Sequence, residues 1–221
     1  MSAVRRGMAG LVLAAACSLA LAADVRRVTP DGETPIPEKH YTARDGTYRM
    51  AFAPLGQCVY VRDTMVNANV GWAELTSREG ASLYVVSTRL TGGPRDAREL
   101  DAVKRRYADF SRQLGDRFRE RAAPAGRFGP SYGFTLVNAD PVTGYPVNLG
   151  YRPGTEVESV AMHRFFVHGG VLYELAALVQ RQGAAPADAA KLAARAESIV
   201  EAALASFEPL EKKPATTPEK R

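Results

Sequence analysis

The chain predicts an α+β domain: a mainly antiparallel sheet flanked by a long central helix and a C-terminal helix. Three observations carry this. Ser159–His168 and Val171–Gln180 alternate on either side of Gly169-Gly170, the pattern of a hairpin with a two-residue loop. Leu100, Val103, Tyr107, Phe110, Leu114 and Phe118 step by three or four, giving one apolar stripe on a helix from Asp96 to Arg119. Leu192, Ala196, Ile199, Ala203 and Leu204 do the same for a helix from Pro186 to Phe207, with Pro186 near its first turn.

The remaining elements follow in order. Tyr41–Arg44 and Thr47–Phe52 flank Asp45-Gly46, which predicts a hairpin closed by a type I′ turn. Gln57–Asp63 and Ser82–Leu90 read as strands, the second rich in β-formers. Gly92-Gly93-Pro94 then breaks the chain before the long helix. The other face of that helix carries Arg98, Asp101, Arg105, Asp109, Arg112, Asp116 and Arg119. Their alternating sign marks a solvated face with helical ion pairs, since a surface built to grip an anion would not intersperse Asp. Tyr132–Asn138 and Pro146–Tyr151 follow as strands around an Asp140–Gly144 turn.

In the 159–180 hairpin the two-residue loop sets Phe166 opposite Tyr173 and Arg164 opposite Leu175. One face then carries Val160, Met162, Phe166, Tyr173, Leu175 and Val179, and the other Phe165, Val167, Leu172 and Leu178. A hairpin apolar on both sides belongs in the centre of a sheet covered on both faces.

The first 22 residues stand apart. Arg5 and Arg6 precede an uncharged run, and Ala20-Leu21-Ala22 fits a signal-peptidase site. The segment reads as a secretory signal, which places the protein in the bacterial periplasm or outside the cell. Two alternatives stay open. Ala14-Ala15-Ala16-Cys17 puts small residues before a cysteine, as lipid attachment at Cys17 requires, and an uncleaved anchor is the other. Cleavage after Ala22 leaves 199 of the 221 residues and, with the loss of Arg5 and Arg6, reduces the formal charge from +5 to +3. That charge gives no argument for a nucleic-acid partner. Cys58 is then the single cysteine, so the domain has no internal disulfide and rests on its core. Cys58 reads as a buried inert thiol, with an intermolecular disulfide or a reactive thiol as alternatives. The polar, proline-bearing stretch 23–39 reads as a flexible lead-in, residues 40–207 as one domain, and 208–221 as a disordered tail.

The order of elements resembles the Mog1/PsbP-type fold of small exported bacterial proteins over Tyr41–Phe207. The carrying features are the Asp45-Gly46 hairpin, the mid-chain helix, the His163-Arg164-Phe165-Phe166 and Val171-Leu172-Tyr173-Glu174-Leu175 strands, and the Ala205-Ser206-Phe207 end. The resemblance implies a mostly non-enzymatic accessory protein and transfers no site residue.

Candidate chemistry is sparse. Gly129-Pro130-Ser131-Tyr132-Gly133 matches G-x-S-x-G, and the order Ser131, Asp140, then His163 or His168 matches a hydrolase triad. A nucleophile elbow needs a strand before and a helix after, whereas here a loop precedes and a strand follows. His163 lies opposite Ala176 and diagonal to Glu174, within reach of a His–carboxylate contact that serves either acid–base chemistry or structure. His163 and His168 are five apart and point to opposite strand faces, so they cannot share a metal. Trp72, in an expected loop or strand edge, suits either the core or an interface anchor. No P-loop, CxxC, HExxH or dinucleotide fingerprint appears, and no cofactor is expected. The expectation is therefore an exported non-catalytic binding or accessory protein of the cell envelope. Its partner would be an envelope protein or small ligand, with membrane contact only through the signal or a Cys17 lipid. The alternatives are a serine-type hydrolase using Ser131 or the His163/Glu174 pair, and a structural lipoprotein tethered through Cys17.

Overall fold

The computed structural model describes residues 24–52, 55, 58–91, 96–121, 126–138, 156–183 and 188–210. The signal segment with Cys17, the expected strand at 146–151, Asp140, Pro186 and the tail beyond residue 210 lie outside them, as do the side chains of Cys58 and Phe110.

Seven strands come first: β1 (Asp24–Thr29), β2 (Gly32–Pro35), β3 (His40–Thr42), β4 (Tyr48–Ala51), β5 (Cys58–Asn67), β6 (Val70–Ser77) and β7 (Ala81–Arg89). Helix α1 (Asp96–Leu114) follows, then β8 (Phe118–Arg121), β9 (Ser131–Val137), β10 (Ser159–His168) and β11 (Val171–Gln180). Helix α2 (Ala189–Ser206) and a two-residue strand β12 (Glu208–Pro209) close the domain. Nine strands form one sheet in the order β2-β1-β5-β6-β7-β11-β10-β9-β8, antiparallel except where β1 runs parallel to β5. A separate small sheet has the order β12-β4-β3.

The α+β expectation holds, and the β10–β11 hairpin takes the expected register, with Phe166 opposite Tyr173 and Arg164 opposite Leu175. Both faces of this hairpin are buried. On one, Met162, Phe166, Tyr173 and Leu175 pack with α2 residues Ala196, Ile199, Val200 and Ala203, and with Tyr41, Tyr48 and Met50 of the small sheet. On the other, Ala161, Phe165 and Leu178 pack with Leu100, Val103 and Tyr107 of α1. The molecule thus has three layers: α1, the large sheet, then α2 beside the small sheet. The charged strip of α1 is exposed, with Arg112 bonded to Asp109.

Four expectations are corrected. Residues 23–39 are not a flexible lead-in: β1 and β2 add two strands to the large sheet. Val25 is buried there, and Arg27 reaches the Asp63 carboxylate of β5 at 2.6 and 2.8 Å. Residues 208–210 are not part of a disordered tail: Glu208–Pro209 pairs with β4, and Leu210 N donates to Thr47 O at 2.8 Å. The 45–46 turn is not type I′. Gly46 has φ +69°, no positive φ occurs at Asp45, and Gly46 N donates to Ala43 O, so Ala43–Gly46 is an ordinary turn followed by a left-handed glycine. The long helix stops at Leu114, because Gly115 (φ +51°) takes the left-handed conformation that ends helices. A single 3₁₀ turn at Gly115–Arg117, whose Arg117 side chain donates to Val137 O and Asn138 O, then leads into β8.

Candidate functional site

On the α2 side of the large sheet, β10 presents Arg164 within a strand that is buried up to its last residue. Its neighbour on β9 is Gly133. A Cβ there would stand 3.3 Å from Arg164 Nη1, 3.4 Å from Cζ and 3.1 Å from His163 O, so the missing side chain makes room for the guanidinium. Across the gap, Arg164 Nη2 donates to Glu201 Oε1 on α2 at 2.8 Å. The Arg164 side chain is 6% exposed and that of Glu201 is 54% exposed.

The third wall comes from the turn at residues 126–129. Gly126 and Gly129 bridge each other, and Gly129 takes φ +87°, which leaves Arg127 and Phe128 at the tip. Phe128 stacks on Phe166 with centroids 4.7 Å apart and meets Phe207 edge-on at 5.8 Å. Arg127 donates to the carbonyls of Leu204 and Phe207, placing a cation at the C-terminus of α2 where the helix dipole favours it. These elements enclose a cavity of about 340 Å³ with mostly apolar walls, including Phe128, Phe166 and Leu204, and with Arg164, Glu201 and Ser131 as polar groups. The size lies at the lower end for small-molecule sites.

Of the candidate catalytic and binding residues that lie among the described residues, only Ser131 lines this cavity. It pairs with Phe166, whereas His163 pairs with Phe134, so Ser131 and His163 project from opposite faces of the sheet. His163 is fully buried on the α1 side, stacked on Phe134 at 4.5 Å, and its Nδ1 lies 2.9 Å from Glu174 Oε1. His168 is exposed and sets its ring edge against Phe128 at 5.8 Å.

Trp72 is in neither a loop nor an edge. It sits within β6, between Thr64 of β5 and Val86 of β7, half-buried and 6.4 Å from the Tyr84 ring on the α1 side. Among the described residues no three His, Cys, Asp or Glu side chains gather as a metal site.

A second polar cluster ties the small sheet to the large one. Asp45 accepts from Ser87 Oγ at 2.5 Å and from Thr47 N and Oγ1 at 3.0 and 2.7 Å. Arg89 donates to Asp45 O at 3.0 Å. Nearby, Tyr41 donates to Asp63, and Tyr173 donates to Thr47 O at 2.9 Å. Burial pushes the Tyr41 and Tyr48 phenols well above their ordinary value, and that of Tyr173 up to about 12. Tyr132, bonded to Glu120, is raised first by burial and then by that carboxylate.

The cavity residues Arg127, Arg164 and Glu201 are not among the candidate site residues that the sequence offers. Only Arg164 carried a signal: a charge inside a strand expected to be covered on both faces. Arg127 and Glu201 become neighbours only when the turn at 126–129 and α2 close on the sheet.

No protein-family model matches the chain. No curated protein sequence matches it either. Among solved structures it is similar to a point mutant of the protein Mog1, at 10% identity and a TM-score of 0.47, over 80% of this chain and 97% of that one. It is also similar to a protein from Bacteroides thetaiotaomicron VPI-5482, at 9% identity and a TM-score of 0.40, over 80% of this chain and 50% of that one. The chain thus spans about half the length of the Bacteroides protein. The Mog1/PsbP-type resemblance is one of fold alone.

Proposed function

We propose that the chain is an exported binding protein of the bacterial cell envelope, without a catalytic step of its own, and that it binds at the cavity between β10, α2 and the turn at 126–129. One observation carries this reading: the described residues build a concave site with apolar walls and a buried guanidinium, and His163 does not reach the serine beside it. Such a site holds and orients a ligand. The export part rests on the N-terminal signal pattern, and no helix among the described residues is long and apolar enough to cross a membrane.

Thermal-shift screening of the purified chain against a panel of cationic, neutral and anionic small molecules tests the site. Ala205 is exposed and lines the cavity, so Ala205→Trp fills it without disturbing the core. At least one ligand should stabilise the parent and lose its effect in Ala205→Trp. A panel in which no stabilisation depends on residue 205 overturns the reading. Trp72 stands on the other side of the sheet, so Trp72→Ala separates cavity binding from docking of an envelope protein there. Intact mass of the processed chain tests export: a start at Ala23 is expected, and an acylated start at Cys17 makes it a lipoprotein instead.

A further inference from the structure

The cavity pairs a fixed cation with a movable anion. Arg164 is held within the sheet, its guanidinium laid against the bare backbone of Gly133. Glu201 stands on the surface of α2 with 54% of its side chain exposed, and it can swing into water without unburying anything. Only Glu201 is exposed; the Arg164 guanidinium is buried and costly to leave unpaired, so Glu201 gives way only to another anion. We infer that the cavity takes a small amphiphilic monoanion, a carboxylate on an apolar body, and that this carboxylate replaces Glu201 on Arg164. This rests on the cavity being the binding site.

Three features select that class. The guanidinium presents a planar fork that matches a carboxylate better than it matches a neutral head group. The walls beside it are Phe128, Phe166 and Leu204, which receive an apolar body and offer it no hydrogen bond from their side chains. Among the described residues the charges lining the cavity are Arg127, Arg164 and Glu201, a formal excess of one cation. Arg127 is held by the α2 carbonyls and stays when Glu201 leaves. A cationic ligand would meet both guanidinium groups. A neutral one would gain apolar burial alone and leave Glu201 in place.

Isothermal titration of the full-length processed chain with decanoate, decanol and decylamine tests this. Decanoate should saturate one site, with decanol and decylamine at least about tenfold weaker. Ala205→Trp should abolish the binding. Glu201→Ala removes the carboxylate that competes for the buried guanidinium, so it should tighten decanoate at least about fivefold and leave decanol unchanged. Residue 201 is exposed on a helix and Ala is a good helix former, so α2 is kept, and circular dichroism of the variant checks the rest of the fold. Decanoate affinity that is unchanged or weaker in Glu201→Ala overturns the exchange. Equal binding of decanol and decanoate, both lost in Ala205→Trp, overturns the ligand class and leaves the cavity as a binding site. Decanoate binding that persists in Ala205→Trp, or no decanoate binding, overturns the inference, and the wider screen then decides the cavity's fate.

Discussion

Ser131 and His163 stand on adjacent strands but on opposite faces of the large sheet, Ser131 paired with Phe166 and His163 with Phe134. A serine nucleophile needs a base within hydrogen-bond reach, and the sheet itself separates these two. Ser131→Ala should therefore leave ester turnover by the purified protein unchanged, and its stability within about 1 kcal/mol of the parent. Turnover that falls with this substitution would restore the hydrolase reading, with the exposed His168 on the Ser131 side as the base to test next.

The contact between His163 and Glu174 has a structural consequence instead. His163 is wholly buried among Phe134 and Phe165, and its Nδ1 faces the Glu174 carboxylate at 2.9 Å. Removing the acceptor of a buried donor costs about 1–3 kcal/mol. Glu174→Ala should lower the urea midpoint accordingly, whereas Glu174→Gln, which keeps an oxygen at the same reach, should lose less. Equal midpoints for the parent and Glu174→Ala would show that the contact contributes nothing to stability.

What was legible in the sequence follows from how much each element announces itself. The β10–β11 register was readable because Gly169-Gly170 fixes the loop and both faces are apolar, leaving one alignment. Strand β6 was not, because its inward positions include Gly71, Ala73 and Ser77, while larger residues such as Trp72 face outward and mask the alternation. Strand β1 has Val25 as its buried apolar residue and depends on Arg27 meeting Asp63, 36 residues away. Phe118 keeps in phase with the α1 stripe although it lies in β8, so the apolar spacing alone carries the helix through Gly115. The cavity was the least legible part, since its polar members come from β10, α2 and a turn whose meeting is a tertiary event.

Gly71 shows how the small sheet is locked to the large one. It lies under the Ser87–Asp45 hydrogen bond, and a Cβ at this position would come within 2.8 Å of both Asp45 Oδ2 and Ser87 Oγ. Neither atom can yield easily: Asp45 is also held by Thr47 and Arg89, and Ser87 is buried within β7. Gly71→Ala should therefore destabilise the fold by about 1–3 kcal/mol, the usual cost of overpacking. Pairing it with Asp45→Ala in a double-mutant cycle should give a sub-additive loss, since the second change removes the clashing carboxylate. Strictly additive losses would place the damage elsewhere.

The buried tyrosines set the alkaline limit of stability. Tyr173 donates to Thr47 O, and burial raises its phenol from 10.0 to about 12, with Tyr41 and Tyr48 beside it also raised. Between those values the native state holds a proton that the unfolded chain has released, so stability falls as pH rises. The Tyr173 contribution is complete below pH 10 and is lost as pH climbs through about 12, and those of Tyr41 and Tyr48 are lost at higher pH still. Chemical denaturation at intervals from neutrality upward should show a flat region below pH 10 and a decline above it, with tyrosinate absorbance rising together with unfolding. Tyr173→Phe removes one of the protons involved and the hydrogen bond to Thr47. It should start less stable at neutral pH and decline less steeply, by up to one proton's worth of slope. A parent in which the tyrosinate signal that Tyr173→Phe removes appears near pH 10 while the chain stays folded would contradict the burial of this cluster.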